Sequence, residues 1–153
     1  MLLNLMMLLI TKHFVVDFLM QPAWMYKNKG KYGHEGGIAH AGLHMVVTYI
    51  ILIIWSNFNW PLSASLAIFE GIIHYHIDWA KVNINKLKFK KYIFFKGLWN
   101  KNDDVKRHIV WIIDKKEWLP NTSEWFWYIL GLDQFLHYTT YMVMLYYIAA
   151  VIK

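Results

Sequence analysis

Four pairs of side chains able to bind a metal or carry a proton recur at a spacing of four: His13/Asp17, His40/His44, His74/Asp78 and Asp133/His137. On an α-helix that step puts both members on one face, about 6 Å apart along the axis. A fifth pair, Glu70/His74, extends the third face by one turn. Each pair lies in a long apolar stretch, where an ionisable group is costly and turns toward a bundle interior, a cavity or another polar group. With about ten His and acidic residues in roughly eighty such positions, chance gives on the order of one pair. The recurrence points to one centre assembled by several helices.

Five imidazoles and three carboxylates on facing helices form the kind of donor set with which helix bundles hold metals. They suffice for two ions, or for one ion with partners that orient its ligands. The chain has no cysteine, which excludes thiolate sites, disulfides and a Cys nucleophile. A His and carboxylate set leaves zinc, iron and manganese open. A divalent cation with one position free lowers the pKa of coordinated water and yields a nucleophile at neutral pH. Glu70 is the candidate general base or a further ligand. Gln21 and Gln134 sit beside ligand pairs and are candidate donors to them. Lys27, Lys29 and Lys81 fall just outside the pairs, where they can meet a phosphate-bearing substrate or serve as basic anchors at the membrane surface. His76 is off the His74/Asp78 face, His108 falls in a solvated stretch, and His34-Glu35 lacks the second His of a zincin motif.

The elements that must carry these residues are membrane helices. The chain has 153 residues, enough for one domain, with 58% hydrophobic and 18% aromatic residues. Its apolar stretches reach the roughly 20 residues that cross a bilayer. They are continuous rather than alternating, which argues against a barrel. The fold class is all-α and polytopic, with four transmembrane helices at about 2–20, 38–55, 62–80 and 125–152. The first apolar stretch contains Lys12, His13 and Asp17 and lacks both a basic n-region and a small-residue cleavage site, so it is expected to be retained as a helix. Pro22 stops it.

Between the third and fourth spans, residues 81–124 hold eleven of the sixteen Lys and Arg residues. Leu87 to Lys96 mixes basic and aromatic side chains, as in a segment lying on anionic headgroups. Asp103 to Trp118 reads as a second amphipathic helix stopped by Pro120. Thr122 or Ser123 can cap the fourth span, whose Trp125-Phe126-Trp127-Tyr128 start suits the aromatic belt. The first connection carries three lysines and the second none. The positive-inside rule then puts both basic connections in the cytoplasm and both termini outside, in a bacterial inner membrane. All four pairs fall in the cytoplasmic half. The outward halves of the second and third spans, Val46–Trp55 and Leu62–Phe69, contain no ionisable residue, which favours a one-sided site over a path through the membrane. Membrane lipids with anionic headgroups are the expected partners and nucleic acid is not; a homo-oligomer is compatible with the sequence.

His13-Phe14-Val15-Val16-Asp17-Phe18-Leu19-Met20-Gln21, followed by Trp24-Met25 and Lys27, resembles the opening HxxxDFxxQ motif of a domain-of-unknown-function family. Its members are small multi-spanning membrane proteins of bacteria and many tailed phages. His40 and His44 match its HxxxH, His74, Asp78 and Lys81 its HxxxDxxK, and Asp133-Gln134-Phe135-Leu136-His137 its DQxxH. The resemblance covers most of the chain outside the basic linker and brings no assigned activity. A more distant similarity, to membrane-bound metal-dependent hydrolases, implies metal-assisted hydrolysis. The expected function is hydrolysis of a lipid or lipid-linked phosphate at the cytoplasmic leaflet. The rivals are an ion or proton pathway component or transporter, and a phage accessory protein that binds a host membrane protein.

Overall fold

Apolar runs broken by Pro, Gly and Asn set the helix boundaries. The computed structural model describes residues 2–56, 59–99 and 124–151, all of whose regular elements are helical. The basic segment from 103 to 118 and the caps expected at Thr122 and Ser123 lie outside the described residues. Helix α1 (Leu2–Phe14) runs directly into a π-helical turn at Val15–Leu19, closed by the Met20 N–H on the Val15 carbonyl at 3.0 Å. Such wide turns are uncommon and recur at functional sites. Here the turn brings residues four apart closer to alignment along the axis, and His13 Nε2 stands 3.2 Å from Asp17 Oδ2.

Pro22 ends this element and precedes the short α2 (Ala23–Tyr26). The connection to α3 (Glu35–Trp55) is pinned rather than loose. Gly33, at φ 75°, takes a left-handed conformation open to glycine, and its N–H donates to the Tyr75 hydroxyl at 2.6 Å. Asn83 Nδ2 donates to the Gly30 carbonyl at 3.1 Å. His34 caps α3, with Nδ1 accepting the Gly36 N–H at 3.0 Å. Gly36 is needed for close approach, since a Cβ there would stand 2.8 Å from the Trp24 carbonyl oxygen.

A short turn joins α3 to α4 (Trp60–Trp99). Asn59 Oδ1 accepts the Leu62 N–H at 3.3 Å, and Pro61 sits in the first turn, where its missing N–H is not needed. The third helix does not stop near Ala80 as the sequence reading expects. No Pro or Gly interrupts residues 81–96, so α4 continues through the first part of the basic linker. The last helix, α5, spans Glu124–Val151.

Helix α1 packs on α3 and α5, and α4 packs on the same two, so four helices surround one axis with α1 and α4 on the diagonal. One half of that axis is aliphatic, with Leu5, Leu9, Leu52, Leu66, Met144 and Ile148 buried together beside Tyr141. The other half buries His13, His40, His44, His74, Asp78, Asp133 and His137. The outer surface is apolar in both halves, with Leu3, Met7, Phe18, Ile50, Ile54, Ile72, Phe135 and Met142 exposed. By length and composition Leu2–Leu19 and Glu35–Trp55 are able to cross a membrane.

Candidate metal centre

Each of the four helices turns its four-residue pair to the axis, and the donors meet. His40 Nε2 stands 2.9 Å from Asp17 Oδ1, 3.0 Å from His74 Nε2 and 3.3 Å from Asp78 Oδ2. His44 Nε2 is 3.3 Å from Asp17 Oδ1, and His74 Nε2 is 3.3 Å from Asp78 Oδ2. Donors placed 2.0–2.1 Å from a tetrahedral zinc would be separated by about 3.3 Å, the spacing these atoms have. Asp17, His40, His44 and His74 form one group able to hold a metal ion; His13, His74 and His137 form a second; Asp78, Asp133 and His137 form a third. The rings are continuous, with His44 stacked on His74 at 3.6 Å between centroids and His137 at 4.3 Å from His74 and 4.6 Å from His13.

The donor atoms are short of protons. His13 Nε2, Asp133 Oδ1 and His137 Nε2 are buried without a directed hydrogen bond, although each faces other members of the cluster, and Asp78 Oδ2 meets the Lys29 ammonium at 2.6 Å. Orphaned buried polar atoms are rare because each costs desolvation free energy with nothing in return. Convergent lone pairs on imidazoles and carboxylates fit a cation. These buried clusters are able to hold a metal ion.

Surrounding groups fix which nitrogen faces inward. The Gln21 amide, with its oxygen turned to His40, accepts from His40 Nδ1 at 3.3 Å and from Lys29 at 2.9 Å. That leaves the His40 Nε2 lone pair for the cluster. His13 Nδ1 stands 3.1 Å from the Tyr141 hydroxyl, which donates to Glu70 Oε1 at 3.4 Å. The hydroxyl has one proton to give, so His13 Nδ1 supplies the other and Nε2 is left as an acceptor. Partners of this kind set the tautomer of metal-binding imidazoles. His44 is the exception: Lys12 donates to its Nδ1 at 3.1 Å, which puts its proton on Nε2, toward Asp17. Capture of a metal there would release that proton.

Glu70 stands behind the imidazoles and belongs to none of the three donor groups. Its Oε1 accepts from Lys12 at 2.9 Å and lies 3.7 and 3.8 Å from the Nδ1 atoms of His44 and His74; its Oε2 accepts from Thr48 at 3.2 Å. Both Lys12 and Glu70 are buried, and Lys12 also lies 5.3 Å from the centre of the Tyr141 ring.

The other residues named from the sequence divide. Lys29 reaches into the cluster, 2.6 Å from Asp78 Oδ2 and 3.5 Å from Asp17 Oδ1. Lys81 and Gln134 both donate to Asp133 Oδ2, at 2.7 and 3.0 Å. Lys27 is exposed. His76 is exposed, bonded to Ile72 and Tyr32, as its position off the ligand face implies. Sequence reasoning missed Lys12, Thr48 and Tyr141 as parts of the site. Lys12 carried a usable signal, a lysine amid an apolar run and next to a ligand histidine; a single Thr or Tyr in such a run carries none.

Neither the curated proteins nor the solved structures contain a match to this chain. A family model does match, over residues 5–153, and by it the chain belongs to the family described as Protein of unknown function (DUF3307).

Proposed function

We propose that this protein is a membrane-embedded, metal-dependent hydrolase whose substrate is a lipid or lipid-linked phosphate at the cytoplasmic leaflet. The observation that carries the reading is the knot of five atoms able to ligate a metal, His40 Nε2, His44 Nε2, His74 Nε2, Asp17 Oδ1 and Asp78 Oδ2, with neighbouring separations of 2.9–3.3 Å at the core of a bundle whose outside is apolar. The Lys29 ammonium already sets a positive charge against Asp17 and Asp78, and a divalent cation would draw all five atoms together once His44 released its Nε2 proton. Four spans account for the exposed Leu, Ile, Phe and Met side chains on the outer surface, which lipid covers without cost.

The site is least buried at Asp17, Lys29 and Lys81, so a substrate enters there. This is the end of the bundle from which the lysine-bearing connection and the basic extension of α4 leave, the cytoplasmic end by the positive-inside rule. A bound cation supplies Lewis acidity and an activated water. The chain's own part is then to place an anionic group beside Lys29 and Lys81, exclude bulk water, and hold the imidazole tautomers through Gln21, Tyr141 and Glu70. Glu70, the sequence candidate for general base, is placed to act through His44 and His74.

The test is metal content and turnover on the same preparation. Protein purified in detergent and loaded with zinc, iron or manganese should retain metal through gel filtration. It should also release phosphate or a phosphorylated headgroup from a library of lipid phosphates, with activity lost to chelator and restored by the metal. A preparation that retains none of the three metals removes the reading. Glu70→Gln should weaken metal binding about 10–100-fold, as loss of an orienting partner does; unchanged binding with lost turnover would make Glu70 the base instead.

A further inference from the structure

We infer that the cluster is a two-ion centre bridged by Asp78, a deepening that rests on the metal reading above. The three donor groups overlap, and an imidazole nitrogen binds only one ion. His74 belongs to the first and second groups, and His137 to the second and third. Giving each residue to one centre leaves two sets, Asp17/His40/His44/His74 and Asp78/Asp133/His137, with His13 between them. His13 faces both: its Nε2 lies 3.2 Å from Asp17 Oδ2, and its ring stands 4.6 Å from that of His137.

Asp78 joins the two sets through different oxygens. Its Oδ2 lies 3.3 Å from both His40 Nε2 and His74 Nε2, while its Oδ1 faces His137 Nε2 at 3.8 Å. One carboxylate presenting an oxygen to each of two adjacent donor sets is the arrangement of a bridging ligand. Asp133 is prepared for the second ion in a similar way. Lys81 and Gln134 occupy its Oδ2, and its Oδ1, 3.6 Å from His137 Nε2, is buried with no directed hydrogen bond. His137 Nε2 likewise makes no directed hydrogen bond, and Asp78, Asp133 and His137 together form a buried group able to hold a metal ion.

Of the three aspartates that face the cluster, Asp133 is met by Lys81, and the ammonium of Lys29 rests on the two that bound the first set, Asp17 and Asp78. A cation is therefore what that position already takes. Two divalent ions some 3.5–4 Å apart clamp the attacking and leaving oxygens of an in-line displacement at phosphorus, which matches a phosphate ester substrate.

The experiment uses full-length protein in detergent micelles, stripped with chelator and titrated with Mn2+ alone. Retained metal is counted by elemental analysis, and coupling between ions is read by electron paramagnetic resonance. Two equivalents per chain with an exchange-coupled spectrum are expected. Asp133→Asn should retain one equivalent with the spectrum of an isolated ion, and Asp78→Asn should lose the coupling. Circular dichroism and gel filtration identify the variants that fold. A single equivalent in the wild-type protein, or two without coupling, overturns the two-ion centre and leaves the metal reading standing. No retained manganese, zinc or iron brings down both.

Discussion

Around Leu5, Leu9, Leu52, Met144 and Ile148 the four helices meet through aliphatic side chains, whereas a few turns further along the same helices meet through imidazoles, carboxylates and lysine ammonium groups. The aliphatic half explains itself, because it excludes voids and satisfies every backbone group within its helices. The polar half does not. Buried ion pairs cost about as much in desolvation as they return, and apolar replacements of equal volume are often as stable. A chain that needed only to fold would have carried the aliphatic pattern to the end. The proposed function rests on that difference between the halves, and it can be attacked from either side.

The largest effect is expected from removing a donor at the meeting point. His40→Ala should lower metal affinity by at least 100-fold, the upper end of what loss of a merely orienting partner costs, and take hydrolysis with it. His40 Nε2 lies between Asp17, His74 and Asp78, at 2.9–3.3 Å from each. Equilibrium dialysis against a metal buffer measures this. Equal metal binding by His40→Ala and wild type would mean the polar half is a hydrogen-bonded network and no more.

Next in size is the boundary between the halves, where Lys12 and Glu70 face each other at 2.9 Å. Lys12→Met leaves the Glu70 carboxylate buried and uncompensated, which should cost about 3–5 kcal/mol. The double variant Lys12→Met/Glu70→Gln should recover most of that loss, read as thermal unfolding in detergent. Failure of the second change to rescue the first would show that Lys12 matters through its contact with His44 instead.

This boundary also marks where the sequence stops being legible. The four pairs were readable because a helix repeats every 3.6 residues, so a spacing of four reports a shared face without knowledge of any neighbour. That is why His13, His40, His44, His74, Asp78, Asp133 and His137 are all found together, with Asp17 at the opening. Partners set by helix packing leave no such trace. Lys12 to Glu70, Thr48 to Glu70 and His13 to Tyr141 join residues 58, 22 and 128 apart in the chain. The end of α4 was misplaced for a related reason. A change from apolar to basic composition reports where a membrane surface falls, while a helix continues until its backbone is broken, and no Pro or Gly occurs from 81 to 96.

A smaller effect is expected in the aliphatic half. Leu9 is fully buried in the cluster with Leu5, Leu52 and Ile148. Leu9→Ala should cost about 2 kcal/mol, at the low end for such truncations, because lipid removes the water-transfer part and leaves lost packing. Metal affinity should stay within a factor of two or so of wild type, since Leu9 belongs to the aliphatic cluster and to none of the donor groups. Steric trapping in bicelles gives the stability and dialysis gives the affinity. A large fall in affinity would show that the two halves are mechanically one unit.

The smallest effect concerns His34, which the sequence reading set aside as lacking a zincin partner. It has a structural task in the connection that carries Lys29, because its Nδ1 accepts the Gly36 N–H and caps α3. His34→Ala should therefore cost about 1 kcal/mol, the usual value of a lost cap, and His34→Asn should restore it. The cap starts the helix on which His40 stands less than two turns later, so metal binding is a second readout. Affinity unchanged in His34→Ala would show that helix packing alone holds His40 and His44 in place. Affinity falling in step with stability, and recovering in His34→Asn, would instead extend the polar half outward to the connection, with the position of Lys29 set by the cap.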